Sequence, residues 1–363
     1  MFGEKNLSRV LVAMSGGVDS SVTAHILKEQ GYVCVGAMMK LFNDDDLSPE
    51  FNRNKGCCSI EDADDARAVA NRLGIPFYVF NFTEAFEGQV MERFVAAYQQ
   101  GKTPNPCIDC NRFMKSQKLM QRAAEIECDF VATGHYARVE QAANGRYLLK
   151  TGLDISKDQS YVLYAMSQDV LARTLMPLGG LTKAEVRTVA EAQGFINAKK
   201  RDSQDICFAP DGDYAGFIER HVGQPFAKGH FVGHDGQILG EHRGIIHYTI
   251  GQRKGLGISA PTPLFVTAIN ADSNTVVLGA SEELFTNTLT AHDVNLIAVD
   301  KIDGKMKVRA KVRYSQPAQA ATVWQVDNDR IHVAFDEAQR AITPGQAVVL
   351  YDGDIVVGGG TIS

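Results

Sequence analysis

The chain runs to 363 residues, 45% hydrophobic and 22% charged, with a formal net charge of −6. That is an ordinary soluble globular composition with room for two or three domains. No apolar run approaches the ~20 residues of a bilayer-spanning helix, and no signal peptide is read before the first apolar run, so a protein that is neither membrane-spanning nor secreted is expected. The seven cysteines are then expected to be reduced, in the cytoplasm. The acidic balance counts against a broad nucleic-acid interface but leaves room for a local one.

Residues 10–14 form an apolar run ending in Ala13 and Met14. Ser15-Gly16-Gly17-Val18-Asp19-Ser20 follows, then a helix with an apolar stripe to Gly31. Paired glycines let backbone approach an anion closely, and the helix start adds unpaired N–H groups and a positive dipole end. Ser15 and Ser20 can donate to phosphate oxygens, and Asp19 can hold the magnesium that nucleotides bring. The turn is neither a Walker A loop, having no lysine for a terminal phosphate, nor a dinucleotide-binding Gly-x-Gly-x-x-Gly.

Further apolar runs at 33–39, 77–82 and 130–133 alternate with helical patterns at 61–73 and 111–126. This alternation predicts an α/β fold with a doubly wound parallel sheet, its ligand site beyond the strands' carboxyl ends. Before the second helix lies Lys102-Thr-Pro-Asn-Pro-Cys107-Ile-Asp-Cys110-Asn111. The prolines predict an extended loop with Asn111 as N-cap, which sets Cys110 against a helix N-terminus that favours its thiolate. Arg112, Lys115, Lys118 and Arg122 on that helix are either a phosphate track or a solvated face.

Residues 150–215 read as mostly helical, with an amphipathic segment at 182–193. Lys199-Lys200-Arg201 precede Cys207, and their charge would favour a second thiolate. Cys34 and Cys128 read as inert core thiols. Beyond 213 the pattern changes to short alternating runs: 265–269 and 275–278, then 307–314, 321–326, 330–335, 347–351 and 355–357, with Asp-Asn-Asp and Asp-Gly-Asp turns between the later ones. The first group predicts a central β-rich domain and the second a small β-barrel. The expected domains are 1–212, 213–280 and 281–363.

The loop resembles the pyrophosphate (PP) loop of ATP pyrophosphatases, which cleave ATP between the α and β phosphates. Six more segments join it: 102–111, Ala132-Thr-Gly-His-Tyr136, Leu153-Asp-x-x-Lys157-Asp158-Gln159-Ser160-Tyr161, Asp202-Ser-Gln-Asp-Ile-Cys207-Phe208, Gly251-Gln-Arg-Lys-Gly-Leu-Gly257 and the terminal Gly358-Gly-Gly. In that order, over nearly the whole chain, they resemble the bacterial tRNA-specific 2-thiouridylases.

The resemblance implies an ATP-Mg-dependent transferase that adenylates the C2 oxygen of the wobble uridine of tRNA and releases pyrophosphate. Sulfur carried as a persulfide on Cys207, delivered by a sulfur-carrier or sulfurtransferase protein, then displaces AMP. Cys110 is the partner nucleophile, which either attacks the persulfide to release sulfide or resolves it, leaving a Cys110–Cys207 disulfide. By the same resemblance Ala13, Met14, Ser15, Gly16, Gly17, Val18, Asp19 and Ser20 cradle ATP with Met39 and Gly134, although core packing accounts for Met39 equally well. Asn105, Pro106 and Cys107 face the target base. Lys157, Asp158, Gln159, Arg313 and Tyr314 meet the anticodon arm, where splayed bases stack on aromatic or guanidinium faces. A monomer is expected.

Many relatives carry Asp where this chain has Cys107, so the role of that carboxylate is not carried over. Cys107, Cys110 and Cys207 together leave a second mechanism open, with sulfur bound to a [4Fe-4S] cluster on three thiolates. A small-molecule PP-loop synthetase, a cytidine-modifying relative and a non-catalytic RNA-binding module are the rival classes. None of the three needs the thiol pair.

Overall fold

The structure, a computed structural model, describes residues 8–42, 60–200, 206–209 and 212–363. It divides into two units, one of Met1–Val90, Cys107–Gly212 and Asp354–Val356, the other of Met91–Pro106, Asp213–Gly353 and Val357–Ser363.

The first unit contains β1 (Arg9–Ala13), β2 (Val33–Lys40), β3 (Phe77–Asn81), β4 (Phe130–Ala132), the hairpin β5 (Ala137–Gln141) and β6 (Tyr147–Thr151), and β7 (Thr174–Leu175). Its parallel sheet has the order β3-β2-β1-β4-β7. Val10, Leu11 and Val12 of β1 are fully buried, as a central strand covered on both faces requires. Val10 and Val12 share a core with Val22, Ala66, Val69, Ala70, Val186 and Ala190 from the helices Val18–Glu29, Ile60–Leu73 and Lys183–Ala192. The helix Leu119–Glu125 packs against β4. The strand order reverses between β1 and β4, so the crevice beyond their carboxyl ends is the topological switch point where such sheets bind ligands. The doubly wound expectation holds. The hairpin at 137–151 and the short β7 are additions that the residue pattern did not announce.

The second unit contains the helices Glu92–Gln99 and Tyr214–Val222 and carries a four-stranded sheet in the order β10-β11-β8-β9. Its strands are β8 (Gly229–Val232), β9 (Ile238–His242), β10 (Phe265–Asn270) and β11 (Thr275–Gly279). A barrel follows from β12 (Phe285–Leu296), β13 (Lys305–Lys311), β14 (Gln319–Gln325), β15 (Ile331–Arg340), β16 (Ala347–Asp352) and β17 (Ile355–Ile362). Its order is β12-β15-β14-β13-β16-β17, closed by the antiparallel pairing of β12 with β17. Closure removes the exposed edges that an open sheet of this kind would present. The interior is filled by alternate residues such as Val308, Ala310, Val323, Val333, Val348 and Leu350.

Candidate active site

The segment after β1 turns on Gly16, whose φ of +72° a glycine adopts without strain. Gly16 also lies flat on the Ile60–Leu73 helix: a Cβ there would stand 2.3 Å from the Asp62 carbonyl oxygen. Gly17 caps the helix Val18–Glu29 with no side-chain hydrogen bond, so the first-turn N–H groups are not met by a cap. The hydroxyl of Ser20 accepts from the Ser15 N–H (3.2 Å) and donates to the Gly17 carbonyl (3.1 Å). Ser20 therefore shapes the loop from inside, while Ser15 is exposed at its tip. Ala13 and Val18 flank the turn, half-buried and buried, and Met14 is anchored by donating its N–H to Ala37 O at 2.8 Å. Met39 is half-buried near the end of β2. After β4, Gly134 abuts the helix start, with its would-be Cβ 3.0 Å from the Asp19 carbonyl carbon and the Ser20 nitrogen. Loop and glycine thus meet at the switch point.

Asn197 and Lys200, which sequence reasoning did not connect to the loop, hold it from beneath. The Asn197 amide donates to Gly16 O (2.9 Å), Gly17 O (3.3 Å) and Ser21 Oγ (2.9 Å). Lys200 Nζ lies 3.4 Å from Gly16 O and binds Asp62 (2.6 Å) and Asp65 (2.7 Å). Burial opposes the Lys200 charge, but the two aspartates outweigh it and its pKa is raised. The expectation that Lys200 would favour a Cys207 thiolate is corrected accordingly, because its ammonium is turned onto Asp62 and Asp65.

Asp19 has a cationic partner. Lys183 Nζ binds both its oxygens, at 2.7 and 2.8 Å, and the Tyr136 hydroxyl donates to Oδ1 at 2.8 Å. Tyr136 is clamped in turn by Gln159, which accepts from the Tyr136 N–H (3.0 Å) and donates its own N–H to the Tyr136 carbonyl (3.0 Å). Asp158 is buried; its oxygens accept from the Gly152 N–H, the Ser160 N–H and the Ser160 hydroxyl at 3.1, 3.1 and 2.9 Å. Its side chain builds the turn that carries Lys157 and Gln159. Lys157, beside it, is half-buried. Asp154 accepts the Lys183 N–H at 3.0 Å. The segment 153–161 therefore braces Asp19 and Lys183.

The thiols sit differently from the expectation. The helix begins at Pro106, not after Cys110, and a proline suits that first position. It widens into a π-helical stretch at Cys110–Lys118 and continues as α-helix over Leu119–Glu125. Cys107 therefore occupies the first turn and is exposed, while Cys110 is half-buried one turn later. The dipole argument transfers to Cys107, and Asn111 is no N-cap. Asn111 is buried and donates to Cys107 O (2.9 Å) and Val162 O (3.3 Å), and its Oδ1 has no partner among the described residues. π-helical turns are a frequent feature of functional sites.

Residues 201–205 lie outside the described residues, but Cys207 is placed, half-buried. Phe208 is 2% exposed and meets Phe86 edge-on at 5.9 Å. Phe86 ends the short helix Thr83–Phe86, which packs against the Cys110–Lys118 stretch. One aromatic contact thus ties the Cys207 segment to a helix that in turn packs on the element carrying Cys110. Among the described residues no three His, Cys, Asp or Glu side chains are grouped to hold a metal ion. The arrangement of Cys107, Cys110 and Cys207 does not fit a three-thiolate cluster. Cys34 and Cys128 are buried core thiols, and burial pushes Cys34 up to about 11.

Lys115 does not extend a surface track. Its ammonium lies 3.1 Å from Nε2 of buried His135, whose Nδ1 meets Thr133 Oγ1 at 2.8 Å. Burial first, and then the Lys115 charge, hold His135 well below its ordinary value, so the ring is neutral. These groups, with Asn111 and Ser116, line a cavity of about 10 Å³, room for one water. Arg122 pairs with Glu125 and covers the Phe80 ring.

In the second unit Asn105 is half-buried and Pro106 buried. Arg313 donates to Ala341 O (2.7 Å) and Thr343 Oγ1 (3.1 Å), beside Tyr314, which is 44% exposed.

A family model described as the tRNA methyl transferase HUP domain matches residues 8–211. A PRC-barrel domain of the same description matches 215–280, and an aminomethyltransferase beta-barrel domain matches 286–362. The tRNA-specific 2-thiouridylase MnmA of Lachnoclostridium phytofermentans is 51% identical over 356 residues, 98% of this chain and 99% of that protein. That of Clostridioides difficile is also 51% identical, over 98% of each chain. The Acetivibrio thermocellus protein is 50% identical over 98% of this chain and 99% of that one. The domain descriptions speak of methyl transfer and the full-length relatives of thiolation. An anion-cradling turn with two linked thiol segments agrees with the latter.

Proposed function

We propose, for a chain that belongs to the tRNA-specific 2-thiouridylase family, that it replaces the C2 oxygen of a tRNA wobble uridine with sulfur at the expense of ATP. End-to-end identity of about half the residues with thiouridylases is the observation that carries this reading. The loop 13–20, Met39 and Gly134 hold the nucleotide at the switch point. The uridine O2 attacks the α-phosphorus, the bond to the β-phosphate breaks, pyrophosphate leaves and N3 gives up its proton. The outer sulfur of a Cys207 persulfide then bonds to C2 and AMP departs with the former oxygen. Finally the Cys110 thiolate attacks the inner Cys207 sulfur, which breaks the S–S bond and leaves 2-thiouridine and a Cys110–Cys207 disulfide. A thiol reductant resets the pair.

Asp19 carries Lys183 and Tyr136 on its oxygens, a donor set that suits an ammonium. Magnesium would enter with the nucleotide's phosphates, and Asp19 would be the carboxylate at hand to meet it once the ammonium has moved to phosphate. The cluster alternative is set aside on the arrangement of the thiols. Asn105, Pro106 and Cys107 are assigned to the target base, and the Lys157-Asp158-Gln159 turn, Arg313 and Tyr314 to the anticodon arm. The division into 1–212, 213–280 and 281–363 separates catalysis from two tRNA-holding modules. The setting is the cytoplasm, with the enzyme a monomer and sulfur delivered by a carrier protein.

The test incubates the protein with ATP, magnesium, a persulfide donor and unmodified tRNA, with nucleoside mass spectrometry as readout. 2-Thiouridine is expected from the wild type and from neither Cys110→Ser nor Cys207→Ser. Full product from either variant refutes the exchange scheme.

A further inference from the structure

Phosphate loops that bind a triphosphate commonly supply a lysine from their own sequence, and the segment 13–20 has none. The fold brings one there from 164 residues downstream: Lys183, at the start of the helix Lys183–Ala192. Its backbone is held twice over. Asp154 accepts its N–H at 3.0 Å, and Thr182 before it forms a reciprocal capping box with Glu185. Its ammonium rests on both oxygens of Asp19, 5.7 Å from the centre of the Tyr136 ring, with the Tyr136 hydroxyl on the same carboxylate. The two side chains are 12% and 30% exposed.

A tie between two helices does not require such a pair. Partly buried ion pairs contribute little net stability, and apolar side chains of similar size serve as well or better. What distinguishes this pair is its address, in the first turn after the glycine loop and beside Gly134.

We propose that Lys183 is the phosphate-facing cation of this loop. Asp19 and Tyr136 act as positioning residues that keep its ammonium at the loop until a polyphosphate arrives. The ammonium then passes from carboxylate to phosphate oxygens and neutralises charge on the departing pyrophosphate. The inference rests on the ATP reading above and deepens it, because it names the group that recognises the β and γ phosphates.

Calorimetric binding of inorganic pyrophosphate and, separately, of AMP to the full-length protein tests it, with melting curves alongside. Lys183→Met is expected to weaken pyrophosphate binding at least about tenfold, the loss appropriate to a charge-assisted hydrogen bond, and to leave AMP within about twofold. Lys183→Arg is expected to restore most of the pyrophosphate affinity. Asp19→Asn, which releases the ammonium, is expected to strengthen pyrophosphate binding in the absence of magnesium. Pyrophosphate affinity within twofold of wild type in Lys183→Met overturns the proposal. So does an equal loss of both ligands with a lowered melting point that Lys183→Arg reverses, which marks a structural tie. A wild type that binds neither ATP nor pyrophosphate overturns the ATP reading itself and this inference with it.

Discussion

Gly16→Ala and Gly17→Ala add one methyl group at adjacent positions, and the structure assigns them opposite consequences. At Gly16 the φ of +72° costs an alanine about 1–2 kcal/mol. Its Cβ would also lie 2.3 Å from Asp62 O and 2.8 Å from Asp62 Cα, both backbone atoms. Overpacking of that kind adds about 1–3 kcal/mol, so the expected total is about 2–5 kcal/mol. At Gly17 the φ is −87° and the nearest atom to a Cβ is Ser15 Oγ at 3.5 Å, an ordinary contact; losing a glycine cap costs at most about 1 kcal/mol. Hydrogen exchange of the amides in Val18–Glu29 reads the difference: about thirtyfold faster or more in Gly16→Ala, and less than about sixfold in Gly17→Ala. ATP calorimetry completes the contrast: on the proposed nucleotide reading the Gly17 methyl would stand where a phosphate approaches, and it is expected to weaken binding at least about tenfold in a well-folded protein. Normal exchange in Gly16→Ala refutes the strain argument, and normal ATP affinity in Gly17→Ala refutes the cradle.

Phe208→Ala removes the aromatic anchor of the Cys207 segment, a truncation worth about 3–5 kcal/mol in a closed core. Thiouridine formation is expected to fall at least about tenfold while ATP affinity holds, and parallel losses would contradict the anchoring role. Asn197→Ala deletes three donations to the loop and is expected to cost about 2–4 kcal/mol, with Asn197→Asp at least as costly because it faces acceptors with acceptors; chemical denaturation measures both. His135 is neutral in the folded protein, with a pKa below the 6.5 of the free ring. The unfolded chain therefore takes up the proton first, and stability falls as pH drops below about 6.5, by up to about 1.4 kcal/mol per pH unit. Denaturation midpoints between pH 6.5 and 5 are expected to lose part of their slope in His135→Gln, and an unchanged slope removes His135 from the account.

Local pattern was a good guide where neighbours in sequence decide the structure. The runs at 33–39 and 130–133 became Val33–Lys40 and Phe130–Ala132, and the segment 182–193 became Lys183–Ala192, because strand alternation and helical periodicity follow directly from burial on a sheet. The helix start at Pro106 was missed because two prolines read as an extended loop, although a proline is equally at home in a first helical turn. β12 was also missed: only Leu289 and Ala291 of its twelve residues are buried, too few for an alternating signal. The contacts of Lys183, Asn197 and Lys200 with the loop were illegible for another reason. Each is an ordinary polar residue whose partner is set by topology across more than 160 residues. Lys115 shows the converse, a helical cation whose spacing points outward and whose partner, His135, is buried.

The distant origin of those braces bears on how the protein is made. A ribosome exports the glycine turn early, yet Lys183 emerges 164 residues after Asp19, and Asn197 and Lys200 emerge 181 and 184 residues after Gly16. A nascent or prematurely terminated product that ends before them carries the whole nucleotide motif without the groups that shape it. On the proposed nucleotide reading, polyphosphate capture would wait until synthesis has passed residue 200, and fragments of the first 180 residues are expected to be poor ATP binders however well their sheet assembles.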